Sequence, residues 1–593
     1  MPPTGRRAAT SQPSSIRRGP HVTTETWHSY HLFLHSTTED TDRFLTEDIT
    51  PLLDGLVASG DATRWFFIRY GEDGPHLRIR VSGLGTAAAA ELPDTLARAA
   101  AKRPAVAGPW PTRHCEVRAV AYVPETHRYG GPRALPTAER VFTHSSRVAV
   151  AALRDLDRRS GSAGRLTVAA DLAHATTHAL RMDRLTAGRW LRRHAAGWRW
   201  VTEVELLPAA AVHTRVNTVY AAQGPALERR ARALREGLEN GAGAPWLTEW
   251  VHRVREADEE LRESLTASEA GAVLPWVWAS QLHMLFNRLG VTPDEERAVC
   301  RLAARTLLEE GEPADFFPED HRAPDVWYLE HSRFRIGRNQ DTALRPLPPQ
   351  PTAKRADAGT TAEGAEEAGT VPAGIPLAHG PLPDVPLHTV LAGRASWRGA
   401  LGGPLDAHTL GTLLWNSLSE SGRSTQRLSD GSVRHLTRRP HPSAGALYTA
   451  RVRLLVLDVA GVPAGTYDCV PERRTLRPIG PAPATHQVTP LSTYFSRPAH
   501  DPDWIGVDEA PVVLGLYTDL GLLRRRYGLR ALRLALLETG HLAQTVLLVA
   551  TALGLSGTPL GGFHDEPAQE LFGLDDLDQP LHYLLPLGRP TPR

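Results

Sequence analysis

The sequence predicts an α+β protein of two domains, and three observations carry that expectation. Residues 65–80, WFFIRYGEDGPHLRIR, read as a hairpin: an aromatic and β-branched run, a Gly-Glu-Asp-Gly-Pro turn, then alternation. Helical spacing dominates from about residue 138 to 310, strands early and helices late. Residues 338–386 then lose all periodicity in favour of Pro, Ala, Gly, Thr and Glu, the composition of an extended flexible linker. The resulting division is a disordered tail over 1–25, a first domain over 26–337, a linker over 338–386 and a second domain over 387–593. A chain of 593 residues is too long for a single core and should hold two to four domains.

The elements follow in order. Residues 29–35 alternate Tyr30, Leu32 and Leu34 against His31, Phe33 and His35, the pattern of a half-buried strand. Over 37–56, Phe44, Leu45, Ile49, Leu52, Leu53 and Leu56 keep helical spacing behind a Thr and acidic start. In the second strand of the hairpin Leu77, Ile79 and Val81 fall on one face, and His76, Arg78, Arg80 and Ser82 on the other. Arginines two apart on one face stand roughly 7 Å apart, a spacing that two anionic groups of one ligand can bridge. Taken alone, the same pattern equally describes a hairpin whose wet face is basic. An Ala/Leu helix runs to about residue 102, and a strand is expected near 115–123. Gly130 and Gly131, after Arg128-Tyr129, either bring backbone close to a neighbour or simply close a loop. Helices follow, among them 227–238 and 246–265. In the second domain apolar segments at 452–459 and 511–516 and helical patterns at 408–420 and 529–555 give another α+β unit.

Composition narrows the class. With 67 basic and 66 acidic residues intermixed, the net charge is +1, and no nucleic-acid or membrane-surface footprint results. Cys115, Cys300 and Cys469 are far apart, which argues against a disulfide framework and a thiolate zinc site. Lys102 and Lys354 are the only lysines, which argues against a P-loop and Schiff-base chemistry. The basic, Ser/Pro-rich start lacks the apolar core of a signal peptide. The most apolar run, 531–555, is interrupted by Arg533, Glu538, His541 and Gln544 and reads as a buried helix, not a membrane span. These features imply a cytoplasmic enzyme. His174 and His178 have chelating spacing, but without a third ligand they read as a solvated helix face, and no metal site is expected.

Three blocks of the first domain, WFFIRYGEDGPHLRIR, VPETHRYGGPRALPTAERVFTHSS and SQLHMLFNRLG, resemble the C-terminal domain of class I lantibiotic dehydratases, also found as a stand-alone thiopeptide-type biosynthesis domain. The resemblance implies elimination of glutamate from glutamylated Ser or Thr of a precursor peptide, leaving dehydroalanine or dehydrobutyrine. It implies that Arg78, Arg80 and Arg128 grip the glutamyl group and that His283 is the general base or acid. Guanidinium forks suit carboxylates, and imidazole titrates near neutral pH. Relatives in thiopeptide pathways build a pyridine ring instead; the complete Arg/Arg/Arg/His set favours elimination. The sequence carries no large upstream domain for tRNA-dependent glutamylation, so a separate protein is expected to perform it.

In the second domain RASWR at 394–398, RRPHPSAGALYTARVRLLVLDV at 438–459, and the stretch from Arg526 to Asp565 resemble the FMN-dependent nitroreductase fold in its azoline-dehydrogenase branch. These oxidases turn thiazolines and oxazolines into thiazoles and oxazoles. Arg394, Ser396 and Arg398 offer charge-assisted donors to a phosphate. Pro442-Ser443-Ala444-Gly445 is a small-residue loop that lets backbone approach a flat ring, and Gly561-Gly562 would let a second backbone segment reach the phosphate. Where the branch carries a Lys-Tyr pair, this chain has Arg526-Tyr527; Tyr527 is the candidate proton acceptor, because arginine does not deprotonate. Glu538, His541 and Gln544 recur along one helix, as polar groups satisfied in a dimer core or as catalytic ones. The resemblance implies FMN and a homodimer built through this domain.

The order of the two domains resembles that of bifunctional thiopeptide-pathway proteins of the lactazole type. The expectation is one enzyme acting twice on a ribosomally made precursor peptide, alongside a glutamylation protein and a cyclodehydratase, with no direct nucleic-acid or membrane partner. Alternatives are a pyridine-forming cyclase or a peptide-binding adaptor as the first domain; a generic NAD(P)H-fed nitroreductase ranks lower.

Overall fold

The computed structural model describes residues 26–159, 162–198, 204–308, 328–329, 331–333, 374–427, 431, 433–575 and 577–591. The expected tail (1–25) and the linker over 338–373 lie outside the described residues. The chain divides into two compact units, one ending at Pro124 and one beginning at Glu125.

The first unit contains β1 (Trp27–Phe33), α1 (Thr38–Arg43), a π-helical turn (Phe44–Ile49), α2 (Thr50–Ala58), β2 (Arg64–Tyr70), β3 (His76–Ser82), α3 (Thr86–Ala100) and β4 (Val117–Ala119). Thr37 starts the first helix, its hydroxyl accepting the Asp40 N–H at 3.1 Å. The helix widens into the π turn just before Pro51, which has no N–H to continue the ladder. The strands form one antiparallel sheet in the order β2-β3-β1-β4. Its register sets Tyr30 beside Ile79, Leu32 beside Leu77, Phe67 beside Ile79 and Trp65 beside Val81. All seven are buried, as are Phe44, Leu45, Leu53, Leu92 and Leu96 of the helices. The predicted hairpin and its apolar face are thus both present.

The second unit opens with seven helices: α4 (Leu135–Arg159), α5 (Ser162–Ala179), α6 (Arg184–Gly197), α7 (Ala209–Glu239), α8 (Pro245–Ser264), α9 (Ala267–Leu289) and α10 (Pro293–Leu308). α9 begins in a capping box between Thr266 and Glu269 and ends at Gly290, whose φ of 78° is left-handed. The strands that follow are β5 (Ile375–Pro376), β6 (Gly399–Ala400), β7 (Gly422–Arg427), β8 (Val433–Arg438), β9 (Ala450–Val456), β10 (Gly465–Val470), β11 (Thr475–Gly480), β12 (Ile505–Gly506), β13 (Val512–Thr518), β14 (Ser556–Gly557) and β15 (Leu581–Gly588). Seven of them make one sheet in the order β14-β15-β13-β9-β10-β11-β5. The helix Ala531–Ala552 buries Leu542, Ala543, Val546, Leu547 and Ala550 in one cluster with Val452, Leu454, Val512, Leu514, Leu516 and Leu585. Each fully buried Leu there contributes about 1.5–3 kcal/mol. By length and hydropathy the run Leu520–Ala552 would span a membrane; here its longer part is this core helix.

Residues 374–386, read from composition as linker, depart from that reading. Ile375 and Pro376 pair with Leu476 and Thr475 of β11, and Leu377 is buried with its carbonyl accepting from Trp415 Nε1 at 3.0 Å. Proline is tolerated there because β5 is the edge strand of its sheet.

The compact units also cut across the expected domains, because the seven helices pack with the C-terminal sheet in one body. Ionic contacts explain this. Glu570, on the helix Asp565–Phe572, is buried and takes hydrogen bonds from Arg301, from His213 at 3.1 Å and from Arg297 at 3.5 Å. Asp575 receives Arg189 at 2.9 Å and Arg193 at 2.7 Å, and Asp578 receives Arg189 at 2.6 Å. Burial opposes the charge of Glu570, but Arg301, His213 and Arg297 hold its pKa down at about 2. A depressed carboxylate contributes stability that is full above the unfolded value, about 4.3, and is lost as pH falls through the folded one. Glu570→Gln should therefore cost about 3–5 kcal/mol at pH 7 by stranding two arginines. Thermal melts of the full chain should show the wild-type advantage shrinking steadily from pH 5 towards pH 2.

Candidate functional site

On β3 the alternation that buries Leu77, Ile79 and Val81 turns His76, Arg78 and Arg80 to the opposite face. Directly across, β1 presents His31 beside Arg78, and β4 presents Arg118 beside His31, so one row of the sheet carries Arg118, His31 and Arg78. On this face His76 and Arg80 are buried, His31 and Arg78 half-buried and Arg118 exposed. The Arg78 guanidinium lies 3.4 Å from the Tyr70 ring centroid, its Nε bonds His76 Nε2 at 3.3 Å, and Nη2 reaches Glu72 at 3.3 Å. Arg80 lies 4.9 Å from the Tyr122 ring and 5.5 Å from Phe66. His31 and His76 stack at 5.1 Å. Burial, reinforced by Arg78, His76, Arg80 and Arg118, pushes the His31 imidazole down to about 4. At neutral pH the face therefore holds neutral imidazoles among permanent cations, a setting that favours an anionic ligand.

In the second unit, Arg128 and His283 come together through α9. Arg128 Nε donates to Ser280 Oγ at 3.2 Å and Nη1 to Glu125 at 2.9 Å. Ser280 and His283 are one turn apart, so they share a helix face. The left-handed Gly130 (φ 88°) lets this loop approach: a Cβ there would stand 2.9 Å from Ala134 and 3.5 Å from Val273 and Val277 of α9. His283 Nδ1 bonds Glu296 of α10 at 2.8 Å. The other Glu296 oxygen takes His194 Nε2 at 2.6 Å and Trp198 Nε1 at 3.1 Å, and the Trp198 ring meets His283 edge-on at 4.9 Å. Burial opposes the Glu296 charge, but the attraction of His283 and the hydrogen bonds from His194 and His283 hold its carboxyl far below the ordinary carboxylate range. A carboxylate only accepts, so Nδ1 of His283 carries hydrogen and Nε2 keeps its lone pair when the ring is neutral. That arrangement leaves Nε2 able to accept a proton. Arg78 and Arg80 belong to the first compact unit, Arg128 and His283 to the second.

The C-terminal region gathers the remaining predicted residues in two groups. Ser396 bridges Gly557, Thr558 donates to the Trp397 carbonyl at 2.5 Å, and Arg398 lies over Tyr494 at 5.6 Å. Gly562 adjoins the same Tyr494 ring, and its carbonyl accepts from Ser492 at 2.6 Å. Arg394 is half-buried two residues before Ser396. In the second group, an added Cβ on Gly445 would stand 2.6 Å from the Tyr527 hydroxyl and 3.7 Å from Arg526 Nε. Pro442-Ser443-Ala444-Gly445 therefore backs onto Arg526-Tyr527. Gly445, Ala446 and Tyr448 are all left-handed, with φ of 62°, 55° and 47°. For the two that carry a Cβ this costs about 1–2 kcal/mol each. His441 beside the loop is buried against the Tyr448 ring, and burial together with Arg439 lowers its imidazole to about 4.

Comparison with known proteins decides the family. Residues 27–307 match the profile described as lantibiotic biosynthesis dehydratase C-term, and residues 391–589 that of the nitroreductase family. The protein MJ1384 of Methanocaldococcus jannaschii, named as a nitroreductase, is 34% identical over 150 residues, covering 25% of this chain and 69% of that one. This chain belongs to the nitroreductase family. It carries a lantibiotic-dehydratase C-terminal domain fused ahead of the nitroreductase domain. The microcin B17-processing protein McbC of Escherichia coli is 31% identical over 175 residues, 29% of this chain and 57% of McbC, so the match spans little more than half of that relative. Among solved structures, the pyridine synthase TbtD from thiomuracin biosynthesis aligns at 22% identity and a TM-score of 0.40 over 48% of this chain and 98% of that one.

The nitroreductase domain fits a flavin phosphate. Nη1 of Arg398 is buried without a protein partner, as is Nε of Arg526, and Gly561 leaves open space where a side chain would stand. Sequence reasoning missed Glu296, His194, His31 and Arg118. Glu296 lies in a charged run at the start of α10, where a carboxylate reads as helix-start chemistry; only its spacing of 13 from His283 was available as a signal. His174, expected on a solvated face, is instead buried and bonded to Thr306 at 3.2 Å, because α10 covers that side of α5. Among the described residues no cluster suits a metal ion.

Gly445→Ala should lower domain stability by about 1–2 kcal/mol, read as a reduced Tm, and force Tyr527 from its place. Gly561→Ala, with no atom within 4 Å of the new Cβ, should stay within about 0.5 kcal/mol of wild type.

Proposed function

We propose that this chain is a cytoplasmic, bifunctional maturation enzyme for a ribosomally made thiopeptide-type precursor. Residues 26–337 eliminate glutamate from glutamylated Ser or Thr, and residues 387–593 oxidise thiazolines or oxazolines with FMN. The observation that carries the reading is the His283–Glu296 pair at 2.8 Å, with Arg128 tied through Ser280 to the same face of α9. It supplies a base beside a permanent cation, which is what β-elimination beside an acyl leaving group requires.

In the first reaction His283 Nε2 takes the Cα proton of the glutamylated residue. The C–H electron pair becomes the Cα–Cβ double bond, the Cβ–O bond breaks, and glutamate leaves as a carboxylate. Arg128 neutralises that leaving group. Glu296 holds the imidazole in the tautomer the step needs and stabilises the imidazolium that forms.

Arg394, Ser396, Arg398 and the Gly561-Gly562 backbone would hold the FMN phosphate, and Pro442–Gly445 would meet the ring. Bound FMN supplies the two-electron acceptor for azoline oxidation. Tyr527 receives or relays the azoline Cα proton, and Arg526 contributes charge without acting as a base. The core helix leaves Leu536 and Leu537 exposed, at 52% and 60%, which supports pairing with a second copy. Glutamylation and cyclodehydration fall to separate proteins that share the precursor.

Purified protein mixed with glutamylated peptide should convert it to dehydroalanine by mass. His283→Ala should slow this by about 100- to 10,000-fold and leave the glutamyl ester intact. Retention of glutamate by the wild type on a competent substrate would end the first half of the reading. Tyr527→Phe should block azoline oxidation and spare elimination, and a colourless wild-type preparation that takes up no FMN would end the second half.

A further inference from the structure

The core helix buries a carboxylate at its centre, and its hydrogen-bond partners all lie 88–95 residues earlier in the chain, in one loop and the first residue of β9. Glu538 is 2% exposed. Oε2 accepts from Ser443 Oγ at 2.8 Å and from Thr449 Oγ1 at 3.3 Å, and Oε1 accepts the Ala450 N–H at 2.8 Å. Ser443 Oγ in turn accepts the Tyr448 N–H at 2.8 Å, and Tyr448 Oη accepts the Arg439 N–H at 2.9 Å. Between Ser443 and Thr449 lie the three left-handed residues Gly445, Ala446 and Tyr448. A loop with two Cβ-bearing residues in that conformation relaxes unless its surroundings hold both ends. Glu538 holds both: one oxygen at the entry, Ser443, and the pair at the exit, Thr449 and Ala450. An apolar residue of similar size would satisfy the core but leave the hydroxyls and the N–H without acceptors.

We propose that Glu538 is the positioning residue that latches residues 443–450 in their strained shape, and thereby sets the small-residue loop against Tyr527 as a preformed cradle for the flavin ring. The consequence for the flavin rests on the function proposed above; the latch itself does not. Glu538 is turned towards the loop from behind and takes no part in proton transfer.

The test uses the full-length protein stripped of flavin. In Glu538→Gln the amides of Tyr448 and Ala450 should exchange hydrogen at least about tenfold faster than in wild type, while amides of β13 exchange unchanged. FMN titrated into the same protein by fluorescence should bind at least about tenfold more weakly, with glutamate elimination unaffected. Thr449→Val removes one bond and is the variant that decides if Glu538→Gln does not fold: it should show the same acceleration to a smaller degree. Wild-type exchange rates at Tyr448 and Ala450 in the folded variant would overturn the latch. Accelerated exchange with unchanged FMN affinity would overturn its role in the cradle. If wild-type protein binds no FMN, the flavin reading fails while the exchange rates still decide the latch.

Discussion

A carboxylate taken out of water has only acceptors to offer, so the fold must bring donors to it from wherever they lie in the chain. Three buried glutamates impose that constraint here. Glu296 draws together His283 of α9, His194 of α6 and Trp198. Glu570 draws together α7 and α10 with the helix that carries it. Glu538 draws a strained loop and the start of β9 onto the core helix. Hydrophobic burial supplies the bulk of the stability but is indifferent to register at this scale. These carboxylates select one arrangement, because any other strands a charge or a donor.

The helix α10 links two of them. Glu296 and Arg297 are neighbours on it; one orients the imidazole of the proposed elimination site, and the other, with Arg301, reaches Glu570 of the nitroreductase domain. The element that holds the His283 imidazole is therefore the same element that docks the helical body onto the nitroreductase domain. This gives the fusion a physical content beyond co-expression of two proposed activities. The orientation of His283 and the seating of the nitroreductase domain depend on one rigid segment of 16 residues.

What the sequence made legible follows from which signals are local. The hairpin and its two faces were readable because a strand's period is two and the turn sits between the runs. Tyr527 and Gly445 were each readable through family resemblance, but their juxtaposition was not, since 82 residues separate them and no periodicity connects them. Glu296 was not readable at all: in a run of Asp294, Glu295 and Glu296 at a helix start, nothing local says that one carboxylate turns inward. The edge strand at Ile375–Pro376 was hidden for the opposite reason, because its composition matches the proline-rich segment before it while its pairing partner lies 100 residues on. His31 was visible as a strand residue, but its place between Arg78 and Arg118 appears only once three strands are laid side by side.

The ionic contacts also determine how the two proposed activities can be separated in experiment. Cutting the chain within 338–373 would look natural from composition, yet it would part Arg189, Arg193, Arg297 and Arg301 from Asp575, Asp578 and Glu570. Each half would then leave buried charges without partners, Arg297 and Arg301 on one side and Glu570 on the other, while Arg189, Arg193, Asp575 and Asp578 are partly or fully exposed already. Uncompensated charges of this kind destabilise the fragments themselves, so an inactive half would not report on its chemistry. Point substitutions at His283 and Tyr527 leave the contacts intact and separate the reactions by residue, which is why they discriminate where excision does not.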